Sequence, residues 1–311
     1  REAERIFKNE CVLIMDKEKM NYFKPFLEGQ VTDPVEYQTY QMKYGKEVRF
    51  TTHRILEMDR YVVESTKARE LEEGFKLDKN EIHKAILAFE SAKGFTLAPG
   101  QKDAILAATT QPGAVVSIQG RAGAGKSTLA RVIKDQYEAK GFEVWGTSTS
   151  SSATKVLAKD TGLDDKHALN AAKLLQDLDK GKVKLTAKSV VLVDEAGMMD
   201  TETYYRLIKH SNEAGAKLVL SGESEQLAAV GFGGHLKTLS DRFHTARVTD
   251  INRQKEQAER EMVEDFASGR SHKAIKYLHD QGRVVITDTT KERVAKLVDD
   301  YFTSKHRTED K

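Results

Sequence analysis

The stretch Gly120-Arg121-Ala122-Gly123-Ala124-Gly125-Lys126-Ser127-Thr128 decides the fold of this chain. It has the G-x-x-x-x-G-K-[ST] spacing of a phosphate-binding loop, and it lies between an apolar run, Val115–Ile118, and a helical pattern, Thr128–Tyr137. Free backbone N–H groups at the start of such a helix point at a phosphate, and glycines let the backbone wrap closely around it. Lys126 would reach the β and γ oxygens of a nucleoside triphosphate, and the Ser127 hydroxyl would hold Mg²⁺.

Strand-like apolar runs alternate with helical patterns on both sides of this loop. The runs are Ala114–Ile118, Glu143–Trp145, Val190–Val193, Lys217–Leu220 and Ala246–Val248. Such alternation predicts βαβ crossovers and a mostly parallel sheet. The run Val190–Val193 is apolar at every position, as is typical of a central strand covered on both faces. We therefore expect an α/β fold of the P-loop NTPase class, with helices on both faces of a parallel sheet and a small, mainly helical N-terminal module.

Two carboxylates, Asp194 and Glu195, directly follow the most apolar of these runs. A P-loop needs a second acidic group at the tip of a neighbouring strand, so Asp194 would contact the metal through water. Glu195 would orient and deprotonate the attacking water. Asp-Glu pairs usually cap helices, but a position after a buried strand downstream of a P-loop favours the catalytic interpretation.

Three further polar residues are candidate contacts of the nucleotide. Gln226 comes after the run Lys217–Leu220, where a side chain at the carboxyl end of a strand would face the nucleotide crevice. Gln101 lies just before the first core helix, where its amide would pair with adenine through one donor and one acceptor. Arg253 would meet phosphate charge in a bidentate manner. Taken alone, Gln101 and Arg253 would more often be a helix cap and a surface ion-pair partner.

Composition excludes several classes of protein. Lys plus Arg number 50 and Asp plus Glu 48, which is a net charge of +2 and argues against a histone-like electrostatic binder. The single cysteine excludes an intramolecular disulfide and a Cys-based zinc site, and it suggests a reducing compartment such as the bacterial cytoplasm. We expect neither a membrane span nor a signal peptide. The sequence does not begin with Met, which suggests a piece of a longer protein.

The order of the motifs resembles the RecD-like superfamily 1B helicase region of Ti-plasmid-type conjugative relaxases, the TraA family, over roughly Phe95–Phe302. The motifs that carry the resemblance are Gly120–Thr128, Asp194–Met198, Gly215–Leu220, Glu225–Leu227 and Asn252–Gln254. The resemblance implies a RecA-like motor that uses ATP and Mg²⁺ and moves 5′ to 3′ on single-stranded DNA. We also expect conjugation proteins as partners and a monomeric state.

Carried over by position, the resemblance assigns a role to each motif. Gln101 would read adenine, Asp194 and Ser127 would hold Mg²⁺, and Glu195 would be the hydrolytic base. Gln226 would couple the nucleotide state to DNA, and Arg253 would contact the γ-phosphate. The triphosphate cradle would be Gly120, Ala122, Gly123, Ala124, Gly125, Lys126, Ser127 and Thr128. The single-strand contacts would be Thr147, Ser148 and Thr149, although a flexible Ser/Thr loop is the simpler interpretation of that segment.

The same comparison gives the expected domain limits. Residues 1–92 would be the N-terminal module, residues 93–250 the first motor domain, and residues 251–311 a helical hinge with the truncated start of a second motor domain. In this last region the pattern predicts three helices, over Gln257–Ser268, His272–His279 and Lys291–Phe302, and a strand over Arg283–Ile286.

Departures from the family pattern bear on activity. Gly222-Glu223 stands where the family has Gly-Asp, and no later motif with an arginine finger follows Arg253. We therefore expect the chain to bind ATP but to hydrolyse it poorly alone. Two other interpretations stay open: a non-catalytic module that binds single strands or partner proteins and retains a relic nucleotide site, and a P-loop small-molecule kinase.

Overall fold

The computed structural model describes residues 11–14, 49–120, 124–223, 233–248 and 257–303. The chain divides into two compact units, Arg1–Asp250 and Ile251–Lys311. Four of the expected site residues, Ala122, Gly123, Gln226 and Arg253, lie outside the described residues. Within the described part of the chain, no helix combines the length and apolar character that crossing a membrane requires.

The secondary structure follows the predicted alternation through the first unit. The strands are β1 (Cys11–Ile14), β2 (Arg49–Thr52), β3 (Val115–Gly120), β4 (Glu143–Thr147), β5 (Ser189–Val193), β6 (Lys217–Gly222) and β7 (Thr245–Val248). The helices are α1 (His53–Ala68), α2 (Lys79–Lys93), α3 (Pro99–Thr110), α4 (Lys126–Ala139), α5 (Ser151–Thr161), α6 (Ala171–Asp179), α7 (Thr201–Ala214), α8 (His235–Arg242), α9 (Gln257–Ala267), α10 (Ser271–Asp280) and α11 (Thr290–Thr303). A short 3₁₀ helix covers Ala196–Met198.

Five strands form one parallel sheet in the order β4-β5-β6-β3-β7. Helix α3 precedes β3 and packs against β7, whereas α4 follows β3 and packs against β4. Both helices contribute to the same core on one face of the sheet. This is the predicted P-loop NTPase fold, and the expectation of an α/β fold with a parallel sheet is confirmed.

Both faces of the sheet are covered, as the apolar run in β5 predicted. Val190 and Leu192 face one core, which is completed by helices α2, α3 and α4. Val191 and Val193 face the other core, which is completed by helices α6, α7 and α8 and by Val62 of α1. Because successive side chains of a strand point to opposite faces, one unbroken apolar run supplies both cores.

The region before the sheet begins with an antiparallel pair, β1 with β2. Thr52 then caps α1, since its hydroxyl accepts a 3.2 Å hydrogen bond from the backbone N–H of Ile55. Arg69, which ends this helix, donates to the backbone oxygens of Ser211 and Ala216 at the end of α7. Helices α1 and α2 thus contribute to the two cores that flank the sheet, and the boundaries proposed after residues 92 and 250 stay predictions.

The second unit contains the three predicted helices, α9, α10 and α11. The strand expected over Arg283–Ile286 is wrong, because these residues form no strand. Val285 and Ile286 are 60% and 80% exposed. A short apolar run becomes a strand only where a neighbouring strand pairs with it, and the described residues place none beside it.

Candidate nucleotide-binding site

The phosphate-binding loop joins the carboxyl end of β3 to the start of α4. Gly125 precedes the helix with φ of 77°, a left-handed conformation that favours glycine. Gly120 ends the strand opposite Val248 of β7, and a Cβ at this glycine would lie only 3.2 Å from the Val248 Cβ. Ser127 and Thr128 lie in the first turn of α4 and are partly exposed. The described part of the loop therefore has the backbone geometry that the sequence predicted.

Lys126 points into the site. Its Nζ donates a 2.8 Å hydrogen bond to the carbonyl oxygen of Gly120, and the side chain lines one cavity together with Asp194 and Ser221. The floor of this cavity is apolar and includes Leu192 and Val219 from the adjoining strands. The structure thus places the P-loop lysine and the first of the two acidic residues near one another, around a small apolar cavity.

Asp194 is held by both neighbouring strands. Its backbone N–H donates to the carbonyl oxygen of Thr147 at 2.8 Å, and its Oδ1 accepts a 2.9 Å hydrogen bond from the Ser221 hydroxyl. Ser221 was not among the predicted site residues. It could have been found from the sequence, because Ser221 directly follows the apolar run Lys217–Leu220. A polar side chain at the carboxyl end of a buried central strand needs a hydrogen-bond partner there.

Glu195 is the one non-glycine residue with positive φ in the described part of the chain, with φ of 52° and ψ of 37°. This conformation costs an amino acid with a Cβ about 1 kcal/mol or more, and such strain is concentrated at functional sites. Its Oε2 is buried without a hydrogen-bond partner. Burial raises the pKa of the carboxyl group, the charges of Asp194 and Glu223 raise it further, and Lys126 opposes them. A carboxylate that is strained and incompletely solvated suits a general base.

Two glycines allow the turn after Glu195 to pack against the end of β6. A Cβ built on Gly197 would overlap the carbonyl oxygen of Glu223, and a Cβ on Gly222 would crowd the backbone N of Gly197. The Tyr204 hydroxyl also donates to the carbonyl oxygen of Ala196 at 2.9 Å. Backbone contacts therefore fix the turn that carries the candidate base.

Gln101 is buried against the phosphate-binding loop, with a relative exposure of 4%. Its Oε1 accepts from the Ala98 backbone N–H, and its Nε2 donates to the carbonyl oxygen of Ala124, both at 2.9 Å. The helix-capping interpretation of Gln101 thus describes one of its two bonds. Adenine recognition by this residue stays a prediction.

The three residues expected to contact single-stranded DNA differ in exposure. Thr147 and Ser148 are 0% exposed, and their hydroxyl oxygens have no hydrogen-bond partner. Thr149 is exposed, just before Ser150, whose hydroxyl caps α5 by accepting from Ala153 N–H. Of the three, only Thr149 offers its side chain to a ligand in this conformation, and DNA contact by this segment stays a prediction.

The described residues fit a Mg²⁺-nucleotide. The Lys126 amine lies at the phosphate-binding loop, and the Ser127 hydroxyl lies at the start of α4. The Asp194 carboxylate is held in place by a hydrogen bond, and one oxygen of Glu195 is buried without a hydrogen-bond partner. Oxygen donors are the ligands that Mg²⁺ prefers, and it usually binds through one or two carboxylates plus the phosphates of its substrate.

Fold and site together define a P-loop NTPase domain. The chain belongs to the AAA domain family, whose match covers residues 96–289. It is 30% identical over 222 residues to the probable conjugal transfer protein TraA of Sinorhizobium fredii, which is 71% of this chain and 20% of that protein. It is 28% identical over 271 residues to the conjugal transfer protein TraA of Agrobacterium fabrum, which is 86% of this chain and 23% of that protein.

A further relative is the ATP-dependent RecD2 DNA helicase of Deinococcus radiodurans, with 28% identity over 144 residues, or 45% of this chain and 20% of that protein. The resemblance inferred from the motifs is therefore confirmed: the chain is similar to a TraA-type, RecD-like helicase region. It spans about a fifth of the length of the curated relatives it matches.

Proposed function

We propose that this chain is the ATP- and Mg²⁺-dependent motor segment of a conjugative DNA helicase that moves 5′ to 3′ on single-stranded DNA in the bacterial cytoplasm, with conjugation proteins as partners. The observation that supports this most is that the side chains of Lys126, Asp194 and Ser221 come together beyond the carboxyl ends of the central strands. The similarity to TraA proteins and to a RecD2 helicase supports the motor function and the conjugative context.

Each residue of the site has a physical task in this proposal. Lys126 leaves the Gly120 carbonyl and neutralises the β and γ phosphates, while N–H groups at the start of α4 bind the phosphate oxygens. Ser127 and Asp194 would hold Mg²⁺, which when bound screens the charge of the triphosphate. Glu195 accepts the proton of the attacking water, and its raised pKa makes it a stronger base than an ordinary carboxylate.

Hydrolysis by this chain alone would be slow. Transition-state charge on a transferred phosphoryl group is stabilised by an arginine finger, which is worth about 10³ to 10⁵ in rate. Arg253 is the candidate γ-phosphate contact within the sequence, and no further motif follows it. We therefore expect nucleotide binding to be measurable with this chain, and fast DNA-stimulated hydrolysis to require the rest of the protein.

Nucleotide binding is tested by thermal unfolding with Mg-ATP. A ligand present at 100 times its Kd stabilises the folded state by about 2.7 kcal/mol, so the wild-type melting temperature should rise. Lys126→Ala should abolish the rise, whereas Lys140→Ala, at the other end of α4, should retain it. An absent wild-type shift at saturating nucleotide would contradict the proposal.

The DNA function is tested by fluorescence anisotropy with single-stranded and duplex oligonucleotides of the same sequence. Single strands should bind more tightly, and the affinity should fall steeply with salt because phosphate contacts release counterions. Thr149→Ala should weaken binding, since this hydroxyl is exposed. Equal affinity for single strands and duplex would count against a motor that tracks one strand.

A further inference from the structure

The side chain of Tyr204 connects helix α7 to the turn that carries Glu195. We infer that Tyr204 is a positioning residue for this candidate base, and that helix α1 supports it through Asp59 and His235. The inference rests on the proposed function, since it concerns how the same site orients the group that activates water. It also gives the N-terminal helix α1 a part in hydrolysis.

The first observation concerns the carbonyl group that follows Glu195 in the chain. The oxygen of Ala196 accepts a 2.9 Å hydrogen bond from the Tyr204 hydroxyl and a 3.3 Å bond from the Met199 backbone N–H. Ala196 is 0% exposed, so solvent does not compete for this oxygen. Because Glu195 has a left-handed backbone, which is unfavourable for a residue with a Cβ, the turn keeps its shape only while its neighbours hold it.

The second observation is that the Tyr204 hydroxyl is buried and keeps its proton. Tyr204 is 1% exposed and belongs to the core on one face of the sheet. Burial raises the pKa of its phenol far above the ordinary value, so the hydroxyl stays a hydrogen-bond donor. The next residue, Tyr205, is partly exposed and packs edge-on against Tyr61 of α1, with 5.1 Å between the ring centroids. Of these two adjacent tyrosines, Tyr204 is the one that holds the turn.

The third observation is that the ring of Tyr204 is supported from α1. Its centroid lies 5.2 Å from that of His235 in α8. The Nε2 of His235 lies 3.0 Å from Oδ1 of Asp59 in α1, and 3.0 Å from the hydroxyl of Thr201 at the start of α7. His235 is 5% exposed, so these contacts fix its ring against Tyr204. Asp59 is therefore linked to the turn through two buried rings.

Helix α8 also covers the turn directly. Leu236, the residue after His235, is 1% exposed. Its Cδ2 would lie 2.9 Å from a Cβ built on Gly222 and 3.6 Å from one built on Gly197. The contact between α1 and His235 thus fixes a helix that packs on the same turn as Tyr204 holds.

The informative variant is Tyr204→Phe, which removes the hydroxyl and keeps the ring. In a single-turnover assay with protein in excess over Mg-ATP, it should lower the hydrolysis rate about tenfold, the value of one hydrogen bond. The Kd for Mg-ATP should equal that of the wild type, because Lys126 and the start of α4 bind the phosphates in our proposal. An equal loss of binding and of rate would show a general structural role and would overturn the inference.

Tyr205→Phe is the matched control. It removes the same hydroxyl group from the next residue, which faces α1 rather than the turn. Both its hydrolysis rate and its Kd for Mg-ATP should match those of the wild type. A rate as low as that of Tyr204→Phe would mean that the bond to Ala196 has no special part, and would also overturn the inference.

A second readout needs no nucleotide. Amide hydrogen exchange of peptides covering residues 194–200 should be faster in Tyr204→Phe than in Tyr205→Phe, because the N–H groups of Met198 and Met199 are bonded within this turn. Unchanged exchange in Tyr204→Phe would overturn the inference. If the wild-type chain neither binds nor hydrolyses Mg-ATP, it is the proposed function that fails, and exchange still tests whether Tyr204 holds the turn.

The support from α1 is tested with the same peptides. Asp59→Ala removes the carboxylate that faces His235, so exchange of residues 194–200 should become faster. Glu57→Ala, at an exposed position of the same helix, should leave exchange as in the wild type. Equal exchange in the two variants would overturn the part that the inference assigns to α1.

Discussion

The Ser221 hydroxyl donates a 2.9 Å hydrogen bond to Oδ1 of Asp194 across adjacent parallel strands. The bond leaves the other carboxylate oxygen of Asp194 available and fixes the orientation of the group. Groups that orient a metal-binding carboxylate are part of the site although they do not touch the metal.

Ser221→Ala should therefore weaken Mg²⁺-dependent nucleotide binding by about 10- to 100-fold, the usual effect of removing a group that orients a metal ligand. The measurement is a Mg²⁺ titration at a fixed ATP concentration, in which the melting temperature of the protein reports binding. Ser240→Ala is the matched control, because its hydroxyl is buried without a partner and its removal should leave the titration unchanged. Equal titrations for both variants would mean that Asp194 needs no such support.

Glu195→Gln should stabilise the folded chain at neutral pH. The folded-state pKa of Glu195 is raised above the ordinary value of 4.5, chiefly by burial, so its ionisation opposes folding. Below pH 4.5 the carboxyl group is protonated in both states, and the destabilising effect appears as the pH rises through the folded pKa. Urea unfolding from below pH 4.5 to neutral pH should show that the variant exceeds the wild type in free energy of unfolding by an amount that grows with pH. A difference that does not change with pH would contradict this explanation.

Gly197→Ala should destabilise the protein by about 1 to 3 kcal/mol, the range for overpacked sites, because its Cβ would overlap the carbonyl oxygen of Glu223. The backbone movement that relieves this overlap should also displace Glu195, so ATP hydrolysis should fall more than ATP binding. Gly74→Ala is the control, since nothing lies within 4 Å of a Cβ at that position. Denaturant midpoints and single-turnover hydrolysis report the two effects, and equal stability of both variants would contradict the contact.

Lys217→Met should remove a pH dependence of stability. Lys217 is 0% exposed, its Nζ donates to the Gly113 carbonyl oxygen at 3.1 Å, and burial lowers its pKa to about 7 while Glu72 opposes the shift. Between pH 7 and 10.5 the unfolded chain binds more protons at this residue, so wild-type stability should rise with pH by up to about 1.4 kcal/mol per unit. Urea unfolding should show a smaller slope in Lys217→Met, and the exposed Lys188→Met should retain the wild-type slope.

The fold was predictable because its signals are local. A loop of fixed glycine and lysine spacing between a strand and a helix, together with a run such as Val190–Val193 that suits burial on both faces, defines a P-loop domain without knowledge of any contact. The same reasoning failed at Arg283–Ile286, where the apolar run has no neighbouring strand among the described residues. A strand forms only if another strand pairs with it, and the sequence of the segment itself does not show whether such a neighbour exists.

Sequence by itself determined the identities and order of Lys126, Asp194 and Glu195, because each follows an apolar run closely and such runs form the strands of a parallel sheet. The tertiary structure alone decided which side chains are exposed and what they bind. It buried Thr147 and Ser148, committed the Gln101 amide to the backbone and introduced Ser221 beside Asp194. Exposure and hydrogen-bond partners depend on residues far apart in the chain, whose proximity exists only after the helices have packed on the sheet.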